Sequence, residues 1–303
     1  MADKMASQPH LATTYAEAAA RFEELSARDD SQANPVNPLC RSQLLTHGEK
    51  VERAIVLVHG IPNCPQQYAK LGPLFHERGL NVLIPRMPHH GYADRATHDL
   101  RLLTTEELRA FADETTDIAY GLGEQVIYLG LSAGGIIATW VAQFRADVAK
   151  AVVIAPALNV AHVPARLNGA LITTMNTLPD RYLKRSEAAM AVTPPYVYYG
   201  QSSRAVGQLM RFGAYATRAA RTTPPAAQSI LVVTSAFDTV VDNVTIYTLV
   251  NRWRAHNARN LTTYEFPLDQ RIVHDMIDPV RGDQQVDKVY PVLLDLILPV
   301  MAS

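Results

Sequence analysis

The sequence has 303 residues, 48% of them hydrophobic and 19% charged, which is ample material for a large packed core and excludes a disordered chain. Its 28 basic and 29 acidic residues leave a formal net charge of −1, so there is no basic surplus to hold a phosphate backbone and no nucleic-acid partner is expected. No stretch reaches the roughly 18 apolar residues of a membrane span, and the first residues lack the apolar run of a signal peptide, so a cytoplasmic protein without an integral membrane segment is the expectation.

In chain order, Thr14 to Ala27 reads as an amphipathic helix with Tyr15, Ala18, Ala19, Phe22 and Leu25 near one face. The turn formers of DDSQANPVNP then end it. SQLLT and Ala54–Val58 read as strands, the second a continuous apolar run suited to burial on both faces. Pro65–Arg78 reads as a helix closed by Gly79. Asn81–Pro85 is a short strand, and Thr105–Leu122 a helix capped by Thr104 or Thr105, with Glu106 and Glu107 at its positive end. Gln125–Gly130 and Lys150–Pro156 are strands around a helix over Ala133–Phe144. The strand Ser229–Ser235, the helix Val244–His256, the strand Leu261–Pro267 and a helix over Gln284–Leu298 complete the pattern.

This alternation predicts an α/β fold, a mainly parallel sheet with helices on both faces, with functional groups beyond the carboxyl ends of the strands. Residues 157–227 break the rhythm with Pro164, Pro179, Pro194, Pro195, Pro224 and Pro225, with aromatic Tyr196, Tyr198 and Tyr199, and with helical patches. The division expected is an N-terminal helix and extension over 1–40, a core over 41–156 and 228–303, and an inserted helical lid over 157–227. Cys40 and Cys64 have no zinc spacing and are expected as two free buried thiols rather than one disulfide.

The chemistry concentrates at Gly130-Leu131-Ser132-Ala133-Gly134, a G-x-S-x-G run that follows an apolar strand and opens a helix. That is the context of a nucleophile elbow, in which small residues such as Gly130 and Gly134 make room for a sharp turn. Ser132 is the expected nucleophile and needs a base to take its proton. His274, just after the last strand, suits that role better than His59, His89, His90, His162 or His256. An acid should orient the imidazole, and Asp238, directly after the strand ILVVTS, is favoured over Asp242, which reads as a helix cap. Asp275 and Asp278 are expected to shape the histidine loop. The oxyanion hole should be formed by the amides of Ala133 and Ile61, since Pro62 has no N–H to give. His59 reads as a brace for the Ile61 loop. No metal motif, P-loop or dinucleotide fingerprint occurs, and no cofactor is expected.

With these residues in hand, LVHGIPNCPQQYAKLGPLFHERGLNVLIPRMPHHG resembles the microbial carboxylesterase and monoacylglycerol-lipase branch of the α/β-hydrolase superfamily. The likeness includes the Pro85–Gly91 loop and covers roughly residues 44–300. It implies the α/β-hydrolase fold, the triad Ser132–Asp238–His274, and cleavage of carboxylic esters through an acyl-enzyme. Two positions depart from the pattern. Ile61-Pro62 replaces an aromatic residue, and His89 stands where the loop usually has glycine. The expected partner is a small-molecule ester with an apolar acyl group, and the sequence assigns no oligomeric state. Aminopeptidase, thioesterase or acyltransferase chemistry on the same triad, and a non-catalytic ligand-binding protein, are the alternatives.

Overall fold

The computed structural model describes residues 5–30, 34–191, 193–256, 258 and 260–298, so parts of the N-terminal extension, of the turn-rich stretch after the first helix and of the C-terminus lie outside the described residues. The first half holds α1 (Tyr15–Asp30), β1 (Gln43–Leu45), β2 (Val51–Val58), α2 (Leu71–His76), β3 (Asn81–Ile84) and α3 (Thr105–Leu122). The centre follows with β4 (Gly123–Leu131), α4 (Ala133–Phe144) and β5 (Val148–Ile154). An insertion carries α5 (Asn168–Thr177), β6 (Tyr182–Lys184), α6 (Glu187–Ala191), β7 (Gly200–Ser202) and α7 (Ser203–Ala219). The chain then returns through β8 (Ile230–Ser235), α8 (Asn243–Ala255), β9 (Leu261–Phe266) and α9 (Val286–Ile297).

Seven strands form one sheet in the order β1-β3-β2-β4-β5-β8-β9. β1 is antiparallel to β3, and the other neighbours run parallel. Helices cover both faces, as expected of a parallel sheet. Ala54 to Val58 of β2 are fully buried, as their unbroken apolar run requires. The chain leaves β2 toward β3 on one side and leaves β4 toward β5 on the other. The carboxyl ends of these two adjacent strands therefore open a crevice, which is where such sheets carry their sites.

Two local expectations need correction. The helix expected over Pro65–Arg78 is a 3₁₀ turn, Pro65–Tyr68, followed by α2. Pro73 has no N–H to bond back to Ala69, so it can only sit in the first turn of a new helix. The expected helical insertion is present, and it also carries β6 paired with β7 as a two-stranded antiparallel ladder. Finally, Cys40 and Cys64 are joined in a disulfide with Cα atoms 5.3 Å apart, and are not free thiols. The extension that carries Cys40 is laid against the loop after β3, with the Asn37 amide donating to Gly91 O at 2.8 Å and Val36 bridged to Tyr92, which brings the distant sulfurs together.

The segment before α1 is held by buried charge. Arg145, at the end of α4 and 1% exposed, donates to Asp113 (3.0 Å), Asp117 (2.6 Å) and Asp147 (2.6 Å). Asp113 and Asp117, both on α3, also accept from the Ser7 hydroxyl at 2.6 Å and the His10 amide at 2.8 Å. α3 itself begins with a reciprocal capping box between Thr104 and Glu107.

Candidate active site

β4 ends at Leu131 and α4 starts at Ala133, leaving Ser132 alone to turn the chain at φ 59°, ψ −109°. This lies outside the regions comfortable for a residue with a side chain. The turn is held by close packing. A methyl group on Gly130 would collide with the Gly134 carbonyl, and one on Gly134 with the Val58 carbonyl of the neighbouring strand. A methyl group on Gly60 would lie 3.3 Å from Ser132 Cβ, so the loop after β2 presses directly on the elbow.

The Ser132 hydroxyl lies 2.9 Å from His274 Nε2, and His274 Nδ1 lies 2.7 Å from Asp238 Oδ2. Three separate strand ends, β4, β8 and β9, thus deliver one continuous hydrogen-bonded chain. Asp238 is fixed from its other side, where Oδ1 accepts from the amides of Val240 (2.8 Å) and Val241 (3.2 Å). Burial opposes its charge, but the His274 hydrogen bond and charge, with these two amides, outweigh burial and hold the carboxyl below the usual range. Burial likewise disfavours a charged His274, yet Asp238, reinforced by Asp275, raises its pKa above 6.5. Asp242 sits apart from this chain. It caps α8, accepting from the amides of Val244 and Thr245.

Ile61 lines the cavity that holds Ser132, and Ala133 directly follows the serine as the first residue of α4. Neither backbone amide donates to a protein acceptor among the described residues. His59 braces their loop: Nε2 accepts from the Met87 amide at 3.1 Å, which leaves the proton on Nδ1, facing Gly60 O at 3.0 Å. Burial is the main cause that brings its pKa down to about 3, with Arg86 adding to it, so the ring stays neutral. His89 has φ 64°, a conformation that favours glycine and accounts for glycine being usual at this place in the resembling loop. Its ring reaches Glu107 at 3.0 Å.

The histidine loop is anchored by Asp278, which is 1% exposed. It accepts from Asn63 Nδ2 (3.0 Å) and from the Tyr196 hydroxyl (2.9 Å), so it ties together the His274 loop, the Ile61 loop and the insertion. Asn63 and Tyr196 carry no motif, and the sequence offered no signal for them. Asp275 pairs with Arg281 at 2.6 Å. A cavity of about 370 Å³ opens above Ser132 and His274, with Val160, Val206, Met210 and Val240 among its apolar lining and Arg185, Asp275 and Arg281 among its charged lining. Among the described residues no group of His, Cys, Asp and Glu could hold a metal ion, and no helix is long and apolar enough to cross a membrane.

The model of the alpha/beta hydrolase family matches residues 55–278, which spans the Ile61 loop, the elbow, Asp238 and His274. No curated protein matches the sequence. Among solved structures, one described with LipS and LipT, metagenome-derived lipolytic enzymes, is 19% identical with a TM-score of 0.62 over 86% of this chain and 98% of its own. The monoacylglycerol lipase of Paleococcus ferrophilus is 19% identical with a TM-score of 0.62, over 84% and 97%. Est1E from Butyrivibrio proteoclasticus with bound ferulic acid is 15% identical with a TM-score of 0.59, over 86% and 95%. At these identities the likeness is one of fold.

Proposed function

The chain belongs to the alpha/beta hydrolase family, and from that premise we propose that it is a serine hydrolase that cleaves carboxylic esters through an acyl-enzyme. The observation that carries the reading is the unbroken chain from Asp238 through His274 to Ser132, at 2.7 and 2.9 Å.

In this reading Ser132 attacks the ester carbonyl while His274 Nε2 takes the hydroxyl proton. Asp238 keeps the other ring proton on Nδ1 and stabilises the imidazolium. The carbonyl oxygen becomes negative as the tetrahedral intermediate forms. The Ala133 amide, at the N-terminal end of α4 where the helix dipole also favours that charge, and the Ile61 amide from the loop after β2 are the donors this reading assigns to it. His274 then protonates the leaving alcohol, and water repeats the sequence on the acyl-enzyme to release the acid.

The apolar side chains of Val160, Val206, Met210 and Val240 support an apolar acyl group. Val206 and Met210 belong to the insertion, so residues 157–227 act as a lid that contributes to acyl selection, above a core over 41–156 and 228–303 and beside the extension over 1–40. A lasting disulfide belongs to an oxidising environment, so the Cys40–Cys64 bridge weighs against the cytoplasmic location expected from sequence.

A fluorophosphonate probe followed by p-nitrophenyl butyrate turnover tests the proposal. Wild type should be labelled and active, and Ser132→Ala should be neither. A folded wild-type protein that takes no label and turns over no ester would refute the hydrolase reading and favour a ligand-binding protein.

A further inference from the structure

Resting on that reading, we infer that Arg185 forms an anion-binding subsite of the Ser132 cavity, and that the substrate is an ester carrying a free carboxylate. Arg185 follows β6 in the insertion and lines the same cavity as Ser132 and His274. Its backbone is fixed, with its amide donating to Tyr199 O at 2.8 Å. Its guanidinium makes no hydrogen bond and no ion pair among the described residues.

The neighbouring charges sharpen the point. Arg281 lines the same cavity but is already committed, to Asp275 at 2.6 Å and to Asp283 at 2.8 Å. Arg95, which also acts on the charge of Arg185, donates to the carbonyls of Val197 and Pro194, each at 2.8 Å, and lies over the Tyr199 ring. Asp275 is a carboxylate whose charge acts on Arg185. Its Oδ2 is held by Arg281 and its Oδ1 is 3.5 Å from the Gln67 amide nitrogen. Burial is the largest influence on Arg185 and opposes its charge. Asp275 favours that charge, but Arg281 and Arg95 oppose it, and the net effect is a depressed pKa.

A guanidinium has five N–H donors in a planar fork. Leaving them partly buried without acceptors is costly, and a carboxylate is the group that satisfies two of them at once. Val160, Val206, Met210 and Val240 also line the cavity, so the ligand that fits is an ester with a hydrocarbon segment and an anionic end.

The test compares matched pairs that differ only in charge, with the carboxylate placed on either side of the ester. Monoethyl adipate is paired with its terminal amide, and para-carboxyphenyl butyrate with para-carbamoylphenyl butyrate. In at least one pair, wild type should prefer the carboxylate in kcat/KM by about 10- to 100-fold, the range of a charged hydrogen-bonded contact. Arg185→Met should abolish the preference and Arg185→Lys should keep part of it. Damage to folding would slow both members of a pair and leave their ratio intact, so an unchanged ratio in Arg185→Met overturns the inference. So does a wild-type ratio near one in both pairs. Calorimetric binding of the same compounds to Ser132→Ala, with and without Arg185→Met, reads the subsite without turnover. A carboxylate preference in binding with no ester cleavage would refute the hydrolase reading and leave the subsite standing.

Discussion

In the proposed mechanism His274 takes the Ser132 proton only while its Nε2 is unprotonated, so its pKa should set the acid limb of activity. Asp238 and Asp275 raise that pKa above 6.5 against the opposing effect of burial. Because the active form is the neutral ring, kcat/KM should fall as pH drops through a value above 6.5 and level off at higher pH. Removing the Asp238 charge removes the main cause of the rise, so in Asp238→Asn the limb should move to lower pH; a pH–rate profile of both proteins checks the direction. The same substitution lets the amide favour the wrong ring tautomer, with a loss in kcat on the order of 10⁴. Asp242→Ala makes the contrast. It removes the α8 cap, which should cost about 1 kcal/mol in chemical denaturation while turnover is largely kept. A larger loss of activity in Asp242→Ala than in Asp238→Asn would reverse their roles. At this scale the sequence was informative because the chemistry imposes order. The elbow had to follow a strand, the acid and the base had to follow later strands, and few residues met those conditions. Asn63 and Tyr196 were not legible, since nothing in an isolated asparagine or tyrosine reveals that Asp278 lies across from it.

α7 shows how one element serves two environments. Phe212 is fully buried and stacks on Trp140 of α4, with ring centroids 5.6 Å apart. Val206 and Met210 instead line the cavity above Ser132. Phe212→Ala should therefore lower the unfolding free energy by about 3–5 kcal/mol, read from denaturant midpoints. Met210→Ala should shift the acyl-chain preference toward longer or bulkier p-nitrophenyl esters. An unchanged chain-length profile would remove this helix from the substrate's surroundings. α7 falls on a helical patch that the sequence of the insertion showed, whereas the β6–β7 ladder was not visible. Its two strands have three residues each, Tyr-Leu-Lys and Gly-Gln-Ser, too few for an alternation of period two to declare itself. α5 marks the other limit: it has no buried residue, so its pattern carried no record of a packing partner.

The whole molecule depends on contacts between segments far apart in sequence, and here local reading had the least to work with. The strand order follows from alternation and crossover rules, which is why a parallel sheet with flanking helices could be expected before any coordinates. The tie between the extension and the core does not follow from such rules. It is set by Asn37 against Gly91, Asp29 against Arg86 at 2.8 Å, and the Cys40–Cys64 bridge. The bridge spans a sequence separation of 24 and joins the extension to the segment immediately after the Ile61 loop. On the chain-entropy argument, a closed loop of that size restricts the unfolded chain by about 3 kcal/mol. Replacing Cys40 and Cys64 together by serine should lower the unfolding free energy by roughly that amount, with denaturation of the oxidised wild type as the comparison. The effect should extend to catalysis, because Cys64 follows Asn63, whose side chain holds Asp278 in the His274 loop. Loosening this end of the loop should let the Ile61 amide wander from the oxyanion and lower kcat more than it raises KM. If the double variant unfolds at the same midpoint as wild type, the bridge contributes no net stability; if kcat is also unchanged, the Ile61 loop keeps its position without the bridge, through contacts such as His59 with Met87 and Asn63 with Asp278.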